Sequence, residues 1–172
     1  NKFGIGGENA AGTEILLLIS ATAYTTAATW LHILVSWNLA TAAAHLYVND
    51  VEDLAAGSTL TDDTIDYTLV NWGIGSINLV AASMNGCLAE VYFAPGQYLD
   101  FSAEANRRKF ISALGKPVHL GATGNIPTGT APIIYLHLGD GESAANFATN
   151  HGTGGDFTIT GALTTGSDSP SD

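Results

Sequence analysis

Positive charge is what this chain has least of. Five Lys plus Arg stand against sixteen Asp plus Glu, a formal net charge of −11 over 172 residues. A surface this acidic repels phosphate, which argues against nucleic acid and anionic membrane surfaces as partners. Cysteine is nearly missing as well. Cys87 stands alone, so an intramolecular disulfide is excluded, and its alternation with Ala89, Val91 and Phe93 predicts a small core residue. The longest apolar run, Ile15 to Ile19, is far too short to span a bilayer, and much of the 46% hydrophobic content is alanine, so membrane insertion is not expected. No n-region, h-region and cleavage site open the sequence, so no signal peptide is expected either. Helical stretches are scarce too: an α/β chain needs helices of ten or more residues between successive strands, and only Ala103 to Leu114 qualifies.

What is present is β-pattern. Trp30 to Val51, WLHILVSWNLATAAAHLYVNDV, holds two runs rich in β-branched, aromatic and leucine residues around a small-residue connection, and the second run stops at Asn49-Asp50. This reads as a β-hairpin followed by a tight turn. Leu31, Ile33, Val35 and Trp37 share one face, Trp30, His32, Leu34 and Ser36 the other, and both faces are largely apolar. In the second run Ala44, Leu46 and Val48 suit a core, while His45, Tyr47 and Asn49 suit a rim or solvent. Further strands are expected at Lys2 to Ile5, Glu14 to Ser20, Thr64 to Val70, Ile77 to Ala81, Cys87 to Phe93, Val118 to Leu120, Ile133 to Leu138 and Phe157 to Leu163. Asn85-Gly86 reads as a tight turn with positive φ. The helix at 102 to 114 has Ser102 as its N-cap, Glu104 in its first turn, and Gly115 and Pro117 as its stop. Phe110, Ile111 and Leu114 give it a small apolar stripe. At this length one domain is expected, residues 1–163, followed by an apolar-free tail at 164–172.

Trp-x-His opening a strand, a second aromatic seven residues after the Trp, and then Leu-Tyr-Val-Asn-Asp resemble the central hairpin of concanavalin A-like, laminin-G-like jelly rolls. Met84 to Phe93, MNGCLAEVYF, resembles that family's Asn-Gly-x-Leu-x-Glu-Val strand at the expected distance. The later stretches ANRRKF, GKPVHLGATG, PTGTAPIIYL and FATNHGTGG are similar to the C-terminal extension of phage and prophage virion proteins that carry this domain. The resemblance implies an all-β antiparallel sandwich, with 1–101 as the family-like core and 102–163 as a helix plus β extension. Several N-terminal strands of the jelly roll would then be missing, so that a partner chain or earlier residues complete the sheets. It further implies a non-enzymatic virion structural protein, a capsid decoration or tail-associated module, whose partners are other virion proteins or copies of itself, and which attaches to host-surface glycans. A carbohydrate-binding module of a bacterial extracellular or cell-surface protein is the alternative.

The residues that could carry chemistry fit a binding or structural role. Glucanases of the resembled fold need paired acids on one strand face, with carboxyl groups ~5 Å apart for retaining hydrolysis. Glu90 is the nearest candidate, but its i±2 neighbours are Leu88 and Tyr92, so a Glu bonded to a loop backbone is expected instead. His32, His45, His119, His137 and His151 are scattered without a catalytic or zinc motif, and structural histidines are the default. No catalytic residue and no metal ligand is therefore assigned. Calcium is the one cofactor left open, because Asn49, Asp50, Glu52 and Asp53 crowd one turn and Asp62, Asp63 and Asp66 another, though neither group has calcium-loop spacing. Tyr47, Trp72, Tyr92 and Tyr98 could stack on sugar rings. Four of the five cations fall at Arg107, Arg108, Lys109 and Lys116, where local charge compensation or a solvated face is expected rather than an anion site.

Overall fold

A computed structural model describes residues 2–25, 29–68, 72–75, 84–139 and 141–170. Described strands pair only antiparallel, in three small sheets, accompanied by one short helix. The chain falls into two compact units: Asn1–Thr68 with Tyr98–Val118, and Leu69–Gln97 with His119–Asp172.

The first unit holds two three-stranded sheets. In one, β1 (Gly4–Glu8) and β6 (Thr59–Leu60) flank β2 (Glu14–Ile19). The β2 run EILLLI is central, and Ile15, Leu16 and Leu18 are almost wholly buried. Asn9 closes the β1–β2 loop, its Oδ1 accepting from the Ala11 and Thr13 N–H groups. In the other sheet β4 (Ala43–Val48) lies between β3 (Ile33–Asn38) and β5 (Val51–Glu52). The predicted hairpin is β3–β4, in register from Ile33↔Val48 to Asn38↔Ala43, joined through a 3-10 turn at Leu39–Thr41. The predicted turn at Asn49-Asp50 makes a second hairpin. Both residues take positive φ, 50° and 66°, as a two-residue loop between Val48 and Val51 demands and as Asn and Asp tolerate better than most side chains.

Residues 51–55 tie the two sheets together. Asp53 N–H donates to Leu46 O of β4; one step on, Ala55 N–H donates to Ile19 O of β2, and Asp53 O accepts from Ala21. A segment that changes sheets in this way makes a corner. Leu16, Leu18, Leu34, Leu46 and Val48 supply much of this unit's core, each burial contributing about 1.5–3 kcal/mol.

Several expectations are corrected. The helix is only Glu104–Arg107, with Ala103 rather than Ser102 at its N-cap. The backbone of 110–112 turns outward to a reversal instead: Val118 N–H donates to Phe110 O, Ser112 N–H to Lys116 O, and Ile111 bridges to Pro117. Gly115, at φ 77°, therefore serves this turn and not a helix stop, and Leu114 is left 89% exposed while Phe110 and Ile111 are buried. Residues 64–68 are not a strand. Asp66 turns the chain there, accepting from both N–H and Oγ1 of Thr68, and residues 69–70 of that expected strand lie outside the described residues. Ile77 to Ala81 also lies outside them. The strand expected at Lys2 is displaced to Gly4–Glu8, and His32 and His119 fall outside strands.

In the second unit β7 (Glu90–Phe93) pairs with β8 (Ile134–His137), register Glu90↔His137 to Phe93↔Ile134. β7 begins three residues later than expected, so the alternation that would bury Cys87 never starts, and Cys87 is exposed. Gly86 makes a bend without positive φ. Residues 118–120 and 157–163 form no strand: apart from Leu120, these short alternating stretches are not buried, and alternation alone does not supply a pairing edge. A 3-10 turn at Ala144–Ala148 was not legible beforehand.

Candidate functional site

The β7–β8 ribbon sorts its side chains by the two-residue period of a strand. Val91, Phe93, Ile134 and Leu136 take one face; Glu90, Tyr92, Tyr135 and His137 take the other. His151 joins that second face. Its ring centroid lies 4.4 Å from that of His137, which in turn stacks on Tyr135 at 4.6 Å, and His151 also meets the Tyr135 ring edge at 6.3 Å.

Each titratable group here is moved by its surroundings. Burial pushes the Glu90 carboxyl above its usual range, against the hydrogen bond from Tyr135 and the field of His119, which favour the anion. Burial also raises the Tyr135 phenol, reinforced by the Glu90 charge. His137 moves down, first by burial and then by the field of His151, while a backbone hydrogen bond at Leu138 and the charge of Glu142 work the other way. His137 Nε2 is buried without a hydrogen-bond partner. His119 accepts at Nδ1 from the Gly121 N–H at 3.1 Å.

The stretch NHGTGG, residues 150–155, holds His151 in place. Asn150 Oδ1 accepts from the Tyr135 and Gly152 N–H groups, and its Nδ2 donates to Ile133 O and Gly155 O. Asp156 Oδ1 accepts from the Asn150 N–H in turn. Backbone bonds from His151 to Tyr135 O, Thr153 to Pro132 O and Gly154 to Ile133 O lay the loop along β8. Two glycines permit the approach: a Cβ at Gly152 would sit 2.6 Å from Pro132 O, and one at Gly154 2.7 Å from Ile133 O. Asn150 could have been suspected from its position in an Asn and Gly-rich loop, but its partners could not, since they lie up to seventeen residues away.

Asn49, Asp50, Glu52, Asp53, Asp63 and Asp66 of the acidic turns are spent on protein donors. Asn49 Oδ1 accepts from the His32 N–H. Asp50 receives Arg107 Nε and Arg108 Nη2, both at 2.6 Å, and hydrogen bonds from Arg108 and Arg107 hold its carboxyl below the usual range. Arg108 also reaches Glu104 at 2.7 Å, so this basic pair compensates local carboxylates. Glu52 faces His45 Nδ1 at 3.0 Å and accepts from the Tyr47 hydroxyl, and His45 Nε2 faces Asp100 at 3.3 Å. Burial works to raise Asp53, but Thr22 and Tyr24 donate to it strongly enough to hold it below its usual range. Asp63 is occupied by Asn9 and Thr64, Asp66 by Thr68. Among the described residues no three His, Cys, Asp or Glu side chains come together as a metal ion would need.

Of the aromatics considered for sugar stacking, Tyr47 is 7% exposed, because the Arg107 guanidinium lies 4.4 Å above its ring; the rim-facing position expected for it is thus covered. Tyr92 is half-buried, edge-on to Tyr135. Trp72 and Tyr98 are open, at 46% and 39%. Compared with known proteins, the chain matches no family model, no curated protein and no solved structure.

Proposed function

We propose that the chain is a non-enzymatic structural protein of a phage virion, a capsid decoration or tail-associated module built on a concanavalin A-like antiparallel sandwich. The observation that carries this reading is the use made of its polar side chains. Asp50, Glu52, Asp53, His45 and Asn150 each hold one backbone segment to another, the work of a framework. The two antiparallel sheets of the first unit and the corner at 51–55 suit a sandwich, and NHGTGG, part of the stretch that resembles virion proteins, builds the clamp on β8.

The second reading is a carbohydrate-binding module of a bacterial extracellular or cell-surface protein, favoured by the exposed rings of Trp72 and Tyr98. The deciding experiment is to locate the chain on purified particles by immunogold electron microscopy, beside a glycan array of the isolated protein. Regular labelling of particles supports the first reading. Unlabelled particles, together with micromolar glycan binding lost in Trp72→Ala or Tyr98→Ala, would replace it with the second.

A further inference from the structure

We propose that residues 149–155 form a pH-sensitive latch, in which the stacked His137–His151 pair holds the loop on β8 while at least one ring is neutral and loosens it when both are protonated. The geometry is that of two imidazoles sharing one site. Their centroids are 4.4 Å apart, with a 36° tilt, and the Tyr135 ring backs both. One ring belongs to a strand, held by the β7–β8 ladder, and the other to a loop held by Asn150 and a few backbone bonds, so repulsion between the rings acts against those bonds.

Neighbours decide how many protons the pair can take. Facing it from β7 is Glu90, across the register from His137; from β8 itself, Tyr135; from the loop after β8, Glu142; and from the segment before Leu120, His119. Glu142 favours a first proton. Glu90, whose carboxyl burial raises above its usual range, adds to that attraction wherever it is ionised. A second proton meets the first at stacking distance, with His119 adding to the repulsion, and at His137 it would place an N–H on the buried, partnerless Nε2 or leave the ring desolvated. Coupled groups of this kind lose and gain protons as a pair.

Loosening the loop would free the Tyr135 N–H and the carbonyls of Pro132, Ile133 and Tyr135 along one edge of β8. Acid thus converts a capped edge into one that can accept another strand. The downward displacement of His137, caused first by burial and then by His151, agrees with this picture.

Amide hydrogen exchange of the intact chain tests it, corrected for intrinsic rates, at pH 7.5 and pH 5. The expected result is a rise of about tenfold or more in the opening constant at the Tyr135 and His151 amides, with β4 amides such as Leu46 unchanged. His151→Phe keeps the ring stack and removes the second charge, so its opening constant should rise much less over the same range, by no more than the burial of His137 contributes, while that of His137→Phe should stay flat. His119→Gln should retain most of the rise. Equal opening of the wild-type loop at both pH values would overturn the proposal, and so would a rise of the same size in both Phe variants. Should neither Phe variant fold, imidazole NMR titration of the wild type decides: two rings titrating independently, each as a single proton step, would also overturn it.

Discussion

β4 and β8 are both strands with a neighbour on each edge, and they obtain the second neighbour by different means. β4 lies between two true strands, with β3 on one side and β5 on the other, each paired through a backbone ladder, to which Glu52 of β5 adds side-chain bonds with His45 and Tyr47. β8 has β7 on one side, and on the other a loop whose Asn150 side chain stands in for part of a ladder. A backbone ladder asks little of residue identity beyond alternation. A side-chain clamp asks for particular residues at particular positions, here Asn150, Gly152 and Gly154. The two edges should therefore respond differently to substitution.

The largest effect is expected where the clamp comes closest. Gly152→Val drives side-chain carbon into the carbonyls of Pro132 and Ile133 and should cost about 4 kcal/mol, while Gly155→Ala, whose Cβ meets nothing within 4 Å, should be near neutral. Denaturant melts of the two variants check this contrast; equal stability would mean that the loop does not lie on β8. In β4, Leu46→Ala removes a fully buried side chain and should cost about 3 kcal/mol by cavity formation, leaving the pairing itself intact. Next comes Asn150→Ala, which strips the Tyr135 N–H of its partner and should cost about 2 kcal/mol, with exchange protection lost at Tyr135 and retained at Leu46.

Charge gives finer tests. Glu90 has a folded pKa raised above 4.5, so it favours folding below that value, and that contribution is lost as pH rises through the folded value. Glu90→Gln should consequently raise Tm by a few degrees at pH 8 and have little effect at pH 4. Asp50 behaves in the opposite sense. Its folded pKa lies below 3.8, so its contribution is present above that value and lost as pH falls through the folded one. Asp50→Asn keeps a side chain suited to φ 66° while removing the charge, and should lower Tm by about 2 °C at neutral pH and low salt, with the difference shrinking in high salt.

Local signals suffice where the local signal is also the cause. The β3–β4 hairpin, β2 and the Asn49-Asp50 turn follow from alternation, apolar content and tolerance of positive φ, properties that belong to the residues themselves. The helix is shorter than its sequence signals suggest because Gly115 and Pro117 are stop signals that serve a reversal equally well, and only the bonds from 110–112 across to 116–118 distinguish the two. Cys87 was misplaced because its strand begins at Glu90, a boundary set by pairing with His137 rather than by the run of residues before it.

By itself, then, the sequence determined the antiparallel β character, the main hairpin and the acidity, since each depends on residue type and short-range period. Tertiary structure alone decided which polar groups meet: Asp50 with Arg107 and Arg108 more than fifty residues on, Glu90 with Tyr135, and His137 with His151. No periodicity encodes those encounters. They arise when β7 pairs with β8 and a loop with two glycines comes close enough to lie against the strand, a matter of where backbones pass and not of what any one stretch prefers.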